Sequence, residues 1–337
     1  MGEGTPRKYV TGEDLDDSFK ALTKFAKLVS RKEFTSEDHL LHFLEELAED
    51  SLAKANPSAL CSFEMALLDL FSQRQQIPVW KLFTPEPVTQ AIHYSSILPL
   101  LSPEQRANIL KLTRQYKIGQ IKAKASNLEE TVKVVSEIAD TLGPGCDIRL
   151  DANEAFTADS AIKMVQALAT RGLSISSLEQ PLPKKDLDGM KQVQEETGVP
   201  VMADESFCNE EDLNEIIKRG CCKGINVRLS KCGGLLNSMK LAEEALKADL
   251  FCQLGCHVGE TSILYAAGRH LAAICGPFRF VEGCYSRFLL KEDIVKEPLE
   301  FGLNGRAAIP NEPGLGVEVN DEALKRHCRL LFEQEKV

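Results

Sequence analysis

Short apolar runs alternate along this chain with longer stretches in which apolar residues recur every three or four positions. Strand-like runs are Ile92 to Leu98, Gln120-Ile121-Lys122-Ala123-Lys124, Ile148-Arg149-Leu150-Asp151, Ile175-Ser176-Ser177-Leu178-Glu179, Val201-Met202-Ala203-Asp204 and Phe280-Val281-Glu282. Helical patterns follow them over 103–116, 128–141, 157–171, 185–196, 210–219, 234–248 and 260–273, with Gly143, Gly172, Gly198 and Gly220 where four of these helices should stop. Ahead of residue 85 the pattern is helical only. One helix starts near Thr11 or Asp14 and carries Phe19, Leu22, Phe25, Ala26 and Leu28. A second starts at Ser36, and a third at Pro57. In the third, Met65 to Phe71 is apolar on most sides apart from Asp69, which predicts burial between two regions. Residues 1–10 read as short of structure, and Pro78 to Phe83 as a packed linker. After residue 300 the alternation ends; glycines and prolines mark turns, and a short helix from Asp321 belongs to a tail expected to fold back onto the N-terminal helices.

Polar residues punctuate the strand ends with a near-constant period. Lys124, Asp151, Glu179, Asp204, Lys231, His257 and Glu282 follow one another at intervals of 27, 28, 25, 27, 26 and 25 residues. That is the length of one strand, one helix and two loops, so the pattern is a βα repeat. With one earlier strand it completes an α/β fold, a (β/α)8 TIM-type barrel, whose active site lies at the C-terminal ends of its strands. The expected organisation is an N-terminal capping region over 1–84, the barrel over 85–298, and a C-terminal segment over 299–337 that returns to the cap.

Composition narrows the function classes. Forty basic against fifty acidic residues give a net charge of −10, which disfavours nucleic acid and anionic membrane as partners. No apolar run reaches membrane length, and the polar start Met1-Gly2-Glu3-Gly4 does not read as a signal peptide. The eleven scattered cysteines are therefore expected to be reduced, in a cytoplasmic protein. Cys252, Cys256 and His257 do not make a zinc site on spacing, because the usual second pair is missing.

The chemistry sits at the strand ends. Asp151, Glu179 and Asp204 close three successive strands, and three carboxylates there suit a hard divalent cation with positions left for a substrate. Lys122 and Lys124 alternate on one strand and point to the same side, and Lys231 follows a strand across the barrel. A lysine inside a barrel is costly unless paired or used. A cation flanked by lysines can remove a proton next to a carboxylate: the positive charges stabilise an enediolate, and a lysine of lowered pKa acts as base. Glu282 could accept a substrate ammonium, and His257 and Glu260 follow the seventh strand as candidate pocket residues.

Taken together, Ile121-Lys122-Ala123-Lys124, Leu150-Asp151-Ala152-Asn153, Leu178-Glu179-Gln180-Pro181, Ala203-Asp204-Glu205-Ser206 and Ser230-Lys231-Cys232-Gly233-Gly234 resemble the enolase superfamily. Within it they resemble the muconate-lactonizing subgroup, which holds cycloisomerases, o-succinylbenzoate synthases, N-acylamino acid racemases and dipeptide epimerases. The resemblance spans roughly residues 85 to 285, and the N-terminal helices and tail are similar to that family's α+β capping domain. It implies that Asp151, Glu179 and Asp204 bind Mg2+, that Lys124 and Lys231 face each other as acid/base catalysts, and that Lys122 lowers the pKa of Lys124. It implies that Asn153 and Glu205 hold the metal ligands from behind. The implied activity is that of an isomerase acting on a small-molecule carboxylate, with racemisation or epimerisation of an N-acyl amino acid or dipeptide-like compound favoured. A cycloisomerase or o-succinylbenzoate synthase-type lyase uses the same scaffold. Family members are often homo-oligomers, although no stretch of this chain marks an interface.

Two departures from the family pattern stand out. Dipeptide epimerases carry Asp-x-Asp at the end of the eighth strand, where this chain has Glu282-Gly283-Cys284. Residues 2–13 match the end of a capping-domain strand and the turn into its first helix, so the strands and mobile loop that precede this point in the family are expected to be missing, leaving a partly truncated cap. A non-catalytic metal-binding barrel is the rival that this departure motivates; a Schiff-base aldolase is weaker, since it would not need three acids.

Overall fold

The computed structural model describes residues 1–30 and 32–330. Its organising element is a parallel sheet of eight strands in sequence order, β2 to β9. These are β2 (Ser96–Leu98), β3 (Gln120–Lys124), β4 (Asp147–Asp151), β5 (Ser177–Glu179), β6 (Val201–Ala203), β7 (Gly224–Val227), β8 (Phe251–Leu254) and β9 (Phe278–Val281). A parallel bridge between Tyr94 and Val281, with Ser95 N donating to Val281 O at 2.8 Å, joins the last strand to the chain entering β2 and closes the barrel. Leu150, Leu178, Val201, Ala203 and Ile225 are fully buried, as strands covered on both sides require.

The strand expected over 92–98 is two strands. β1 (Ala91–His93) pairs antiparallel with β10 (Arg306–Ala308) in a separate ribbon, and only β2 belongs to the barrel. The chain changes partner between them, at Tyr94 and Ser95: Tyr94 N donates to Gly305 O, and Ser95 N to Val281 O, both at 2.8 Å. Continuous β propensity cannot reveal such an exchange, because the partner comes from more than 200 residues away.

The barrel helices start where side chains can cap them. α6 (Pro103–Gln115), α7 (Leu128–Leu142), α8 (Ala158–Thr170), α9 (Leu187–Thr197) and α10 (Glu210–Arg219) begin after Ser102, Asn127, Thr157, Asp186 and Asn209, each accepting a backbone N–H of the first turn. α11 (Leu229–Cys232) is a single turn, followed by α12 (Leu235–Lys247), α13 (Ser262–Ile274) and α14 (Ser286–Leu289).

The N-terminal region is helical: α1 (Lys8–Thr11), α2 (Leu15–Val29), α3 (Glu37–Ala48), α4 (Ser51–Ala55) and α5 (Pro57–Gln75). α1 corrects the expectation that residues 1–10 are short of structure, and α4 is an element the apolar period did not reveal. The preceding residues are extended but tightly seated: a Cβ on Gly2 or Gly4 would overlap the Ser62 or Ser58 carbonyl of α5. Only glycine allows so close a backbone approach. Two glutamates of this region end on helix N-termini. Glu3 accepts from Thr261 N at 2.9 Å and Leu264 N at 3.0 Å of α13, and Glu13 from Ser58 N at 2.9 Å and Ala59 N at 3.1 Å of α5. Carboxylates are favourable there, where free N–H groups and the helix dipole are both positive.

α5 is buried along most of its length, as its all-round apolar pattern predicted, although Leu70 remains 47% exposed. Asp69 accepts from Leu315 N at 2.8 Å, Gly314 N donates to Ile77 O at 2.9 Å, and Trp80 Nε1 donates to Pro310 O at 2.8 Å. The tail thus lies on α5 and the 77–80 linker, and it carries α15 (Asp321–His327), which starts at the expected Asp321. All eleven cysteines are free thiols. No helix among the described residues is long and apolar enough to cross a membrane.

Candidate active site

Strand register sets the first level of the site. Lys124 is the register partner of Asp151, and Asp151 of Glu179, so three successive strands deliver these side chains side by side at one end of the barrel. Asp204 follows β6 directly, and Lys231 sits in α11 just past β7. β3 and β7 are four strands apart in a ring of eight, so Lys124 and Lys231 approach from opposite sides with the carboxylates between them.

The side chains form one charged network. Lys124 Nζ lies 2.7 Å from Asp151 Oδ2 and also contacts Asn153 Oδ1. Lys122 Nζ is 3.0 Å from Glu179 Oε2, 2.9 Å from Glu282 Oε2 and 3.5 Å from Asp151 Oδ2. Lys231 Nζ donates to Asp204 O and Oδ1, both at 2.8 Å. Asn153 N donates to Asp151 Oδ1 at 3.1 Å, and Asn153 Nδ2 to Glu205 Oε1 at 3.1 Å. Asp151, Glu179, Asp204, Lys122 and Lys231 are buried, whereas the Lys124 side chain is 29% exposed and is the catalytic candidate most open to solvent.

Four participants escaped the sequence reading. Arg228 contacts Asp204 Oδ2 and lies 3.6 Å from Glu179 Oε1. Asn226 Nδ2 donates to Glu179 Oε1 at 2.7 Å, and Gln253 Nε2 to Glu179 Oε2 at 3.2 Å. Arg149, fully buried, donates to Glu282 Oε1 at 2.9 Å and to Ser95 Oγ at 3.1 Å, with its guanidinium 4.0 Å from the centre of the Phe280 ring. For Arg149 a signal was available: it lies two positions before Asp151 on one strand and shares its inward face, as Lys122 does with Lys124.

Carboxylates set the charge of two of the lysines. Burial pushes Lys122 and Lys231 down, but Glu179, Glu282 and Asp151 around the first, and Asp204 beside the second, outweigh it and hold both above the ordinary lysine range. Neither ammonium is depressed, because each sits on carboxylates rather than beside another free cation. Burial alone would raise Asp204; Arg228 and Lys231 reverse this and hold it well below the usual carboxylate range. Burial, with Asp204 nearby, pushes Glu205 up to about 7.

The remaining candidates lie at the edge of this network. Glu282 is buried and committed to Lys122 and Arg149. His257 Nδ1 is 2.8 Å from Thr5 Oγ1, while its buried Nε2 has no hydrogen-bond partner; burial first, and Arg228 second, hold the ring neutral. Glu260 Oε1 accepts from His257 N at 2.6 Å, and Glu260 lines a small cavity with Tyr94, Cys256, Tyr265 and Glu282.

Burial pushes Glu260 up to about 8. A carboxyl whose folded pKa is raised contributes stability below its unfolded value and loses it as pH rises through the folded one. Ionisation of Glu260 therefore costs stability from about pH 4.3 upward and in full above pH 8. Glu260→Gln keeps the acceptor for His257 N and should lose less melting temperature than the wild type between pH 5 and pH 9. Parallel melting curves over that range would refute the assignment.

Among the described residues, no three His, Cys, Asp or Glu side chains are drawn together as a ligand set. Each strand-end carboxylate faces an ammonium or guanidinium instead. The donor chemistry still fits a hard divalent cation: Asp151, Glu179 and Asp204 offer only oxygens, stand on adjacent strands and are shielded from water, and Glu205 Oε2 beside them is buried without a partner.

A barrel of this topology with paired lysines and a row of strand-end acids defines a class, and comparison with known proteins identifies it. The model of the family described as enolase C-terminal domain-like matches residues 104–323. A hydrophobic dipeptide epimerase of Enterococcus faecalis is 30% identical over 280 residues, which is 81% of this chain and 75% of its own. A crystal structure of a dipeptide epimerase from Enterococcus faecalis, complexed with Mg and the dipeptide L-Leu-L-Tyr, superposes with a TM-score of 0.82 at 27% identity, covering 94% of this chain and 87% of that one. An N-succinyl-L-Arg/Lys racemase of Bacillus cereus is 27% identical over 336 residues, 96% of this chain and 85% of its own. A muconate cycloisomerase of Rhodococcus opacus is 32% identical over 200 residues, 59% and 52% of the two chains. The chain belongs to the enolase superfamily, in its muconate-lactonizing subgroup. It is an isomerase of that superfamily, of the racemase/epimerase or cycloisomerase type.

Proposed function

We propose that this isomerase moves the α-proton of a small carboxylate substrate from one face to the other, racemising or epimerising an N-acyl amino acid or a dipeptide-like compound with blocked nitrogen. The observation that carries the reading is the pair Lys124 and Lys231, which approach from opposite sides with Asp151, Glu179 and Asp204 between them.

Charge supports an anionic substrate. With one of Lys124 and Lys231 neutral, the other joins Lys122, Arg149 and Arg228 in balancing Asp151, Glu179, Asp204 and Glu282, and Glu205 is only partly ionised near neutral pH, so bound Mg2+ would leave a deficit of negative charge. A substrate carboxylate fills that deficit, and its second negative charge on deprotonation meets cations already in place. Asp151, Glu179 and Asp204 would hold Mg2+, with Asn153 and Glu205 orienting the ligands. When bound, this ion supplies Lewis-acid polarisation of the substrate carboxylate. One lysine accepts the α-proton at its neutral Nζ while the other donates from the opposite face. Lys122 stays charged and offsets the enediolate.

The blocked nitrogen is inferred from Glu282. Its carboxylate is ion-paired with two cations of its own chain, which leaves no free buried carboxylate at the end of the eighth strand to receive a substrate ammonium. The test is α-proton exchange in D2O, with and without Mg2+, over N-succinyl and N-acetyl amino acids and unblocked dipeptides. Metal-dependent exchange confined to the acylated compounds is expected. Exchange with unblocked dipeptides alone refutes the substrate class, and a labelled product that has lost water or closed a lactone selects the lyase or cycloisomerase reaction.

A further inference from the structure

Glu64 lies in the middle of α5, outside the barrel, and is 1% exposed. Its Oε1 accepts from Leu235 N at 2.5 Å and Leu236 N at 3.2 Å, the first two residues of α12. α12 has Gly234 at its N-cap and so no side chain of its own to satisfy those donors. The carboxyl group from α5 takes that place. A Cβ on Gly234 would stand 2.6 Å from Glu64 Oε1, so the glycine is what admits it.

The segment held in this way carries Lys231. α11 ends at Gly233, whose Cα faces Leu60 and Pro57 of α5: a Cβ there would lie 3.5 Å from Leu60 Cδ2 and 3.7 Å from Pro57 Cβ. Ser230 Oγ accepts from Thr5 N at 2.8 Å. Residues 229–235 are thus braced from outside the barrel by α5 and the chain that precedes α1. Lys124 is supported differently. It sits inside a ladder of β3 with β4, and its hydrogen bonds go to Asp151 and Asn153, both parts of the barrel.

We propose that Glu64 is a positioning residue for Lys231 and not for Lys124, so that the N-terminal helices control proton transfer on one face of the substrate only. This rests on the reading of the two lysines as opposed proton carriers. Displacing a reacting group by about 1 Å costs on the order of 10²-fold in rate, so loosening one loop should act on one enantiomer. A uniform structural role for Glu64 would act on both.

The experiment measures α-deuterium exchange separately for the two enantiomers of N-succinyl and N-acetyl amino acids with wild type, Glu64→Ala and Glu64→Gln. The enantiomer served by Lys231 is the one whose exchange Lys231→Ala abolishes. Glu64→Ala is expected to lower exchange of that enantiomer by about 10²-fold and to leave the other near wild type. Glu64→Gln, whose amide oxygen can accept both N–H groups, should restore it. A second arm needs no substrate: pulse acetylation read by peptide mass spectrometry should find Lys231, buried in the wild type, newly labelled in Glu64→Ala, with Lys124 labelling unchanged. Equal loss for both enantiomers, or no gain of labelling at Lys231, overturns the assignment. A wild type that exchanges neither enantiomer refutes the proton-transfer reading, and the labelling arm then decides whether Glu64 positions Lys231.

Discussion

Lys231→Ala should abolish racemisation while preserving α-proton exchange of a single enantiomer, and Lys124→Ala should do the same for the opposite one. In the proposed reaction each lysine serves one face, so removing either should break the path from one hand to the other without silencing the remaining base. Loss of a positioned acid/base group costs about 10²–10⁴-fold in rate. The two lysines should not respond alike to their surroundings. Lys231 is buried against Asp204 and held above its ordinary pKa, while the Lys124 side chain is 29% exposed. Lys231 must therefore give up a proton before it can accept one, and Asp204, which Arg228 also contacts, keeps a cationic partner when it does. Chiral chromatography of product together with deuterium incorporation in recovered substrate reads both halves of the prediction. Racemisation that survives in either variant would eliminate the two-base scheme.

Glu179→Gln is expected to fail twice. Glu179 is fully buried and contacts Lys122, Asn226, Gln253 and Arg228. Neutralising it leaves the charge of Lys122 shared by Glu282 and Asp151 alone and removes a partner of Arg228. Breaking a buried ion pair in this manner costs about 3–5 kcal/mol, because the surviving charge stays desolvated. The variant should melt several degrees lower in the absence of divalent metal. If Glu179 holds Mg2+ as proposed, the variant should also lose the stabilisation that bound Mg2+ would give the wild type, since a ligand that binds only the folded state raises stability by RT ln(1 + [L]/Kd). Melting curves titrated with Mg2+ separate the two effects. An undiminished Mg2+-dependent rise in the variant would remove Glu179 from the metal-binding set, while an unchanged metal-free melting point would contradict its role in the buried charge network.

Helix boundaries were legible where a local signal exists. α6, α7, α8 and α10 begin beside Ser102, Asn127, Thr157 and Asn209, whose side chains compete for the first-turn N–H groups, and α9 and α10 end at glycines of positive φ, Gly198 and Gly220. Strand limits were less legible. The run from Ile175 forms a strand only over Ser177–Glu179, and Ile92 to Leu98 is shared between two sheets, since strand pairing is chosen by partners distant in the chain. At the site, residues with unusual chemistry for a strand end stood out. Arg149, Asn226, Arg228 and Gln253 did not, because each lies within its run or just past it and gains meaning only from the carboxylate it faces.

The spacing of polar residues from Lys124 to Glu282 by itself pointed to an eight-stranded βα barrel, and the motifs in that stretch resembled the enolase superfamily and named the lysines and acids at its mouth. A repeat of one strand and one helix has few ways to bury its apolar faces. Only the tertiary structure decided how those charges are shared. Lys122 pairs with Glu282 across 160 residues, Glu64 caps a helix 171 residues away, and Lys122 and Lys231 are raised rather than lowered. Pairing and pKa depend on distance and burial, and those exist only once the barrel has closed.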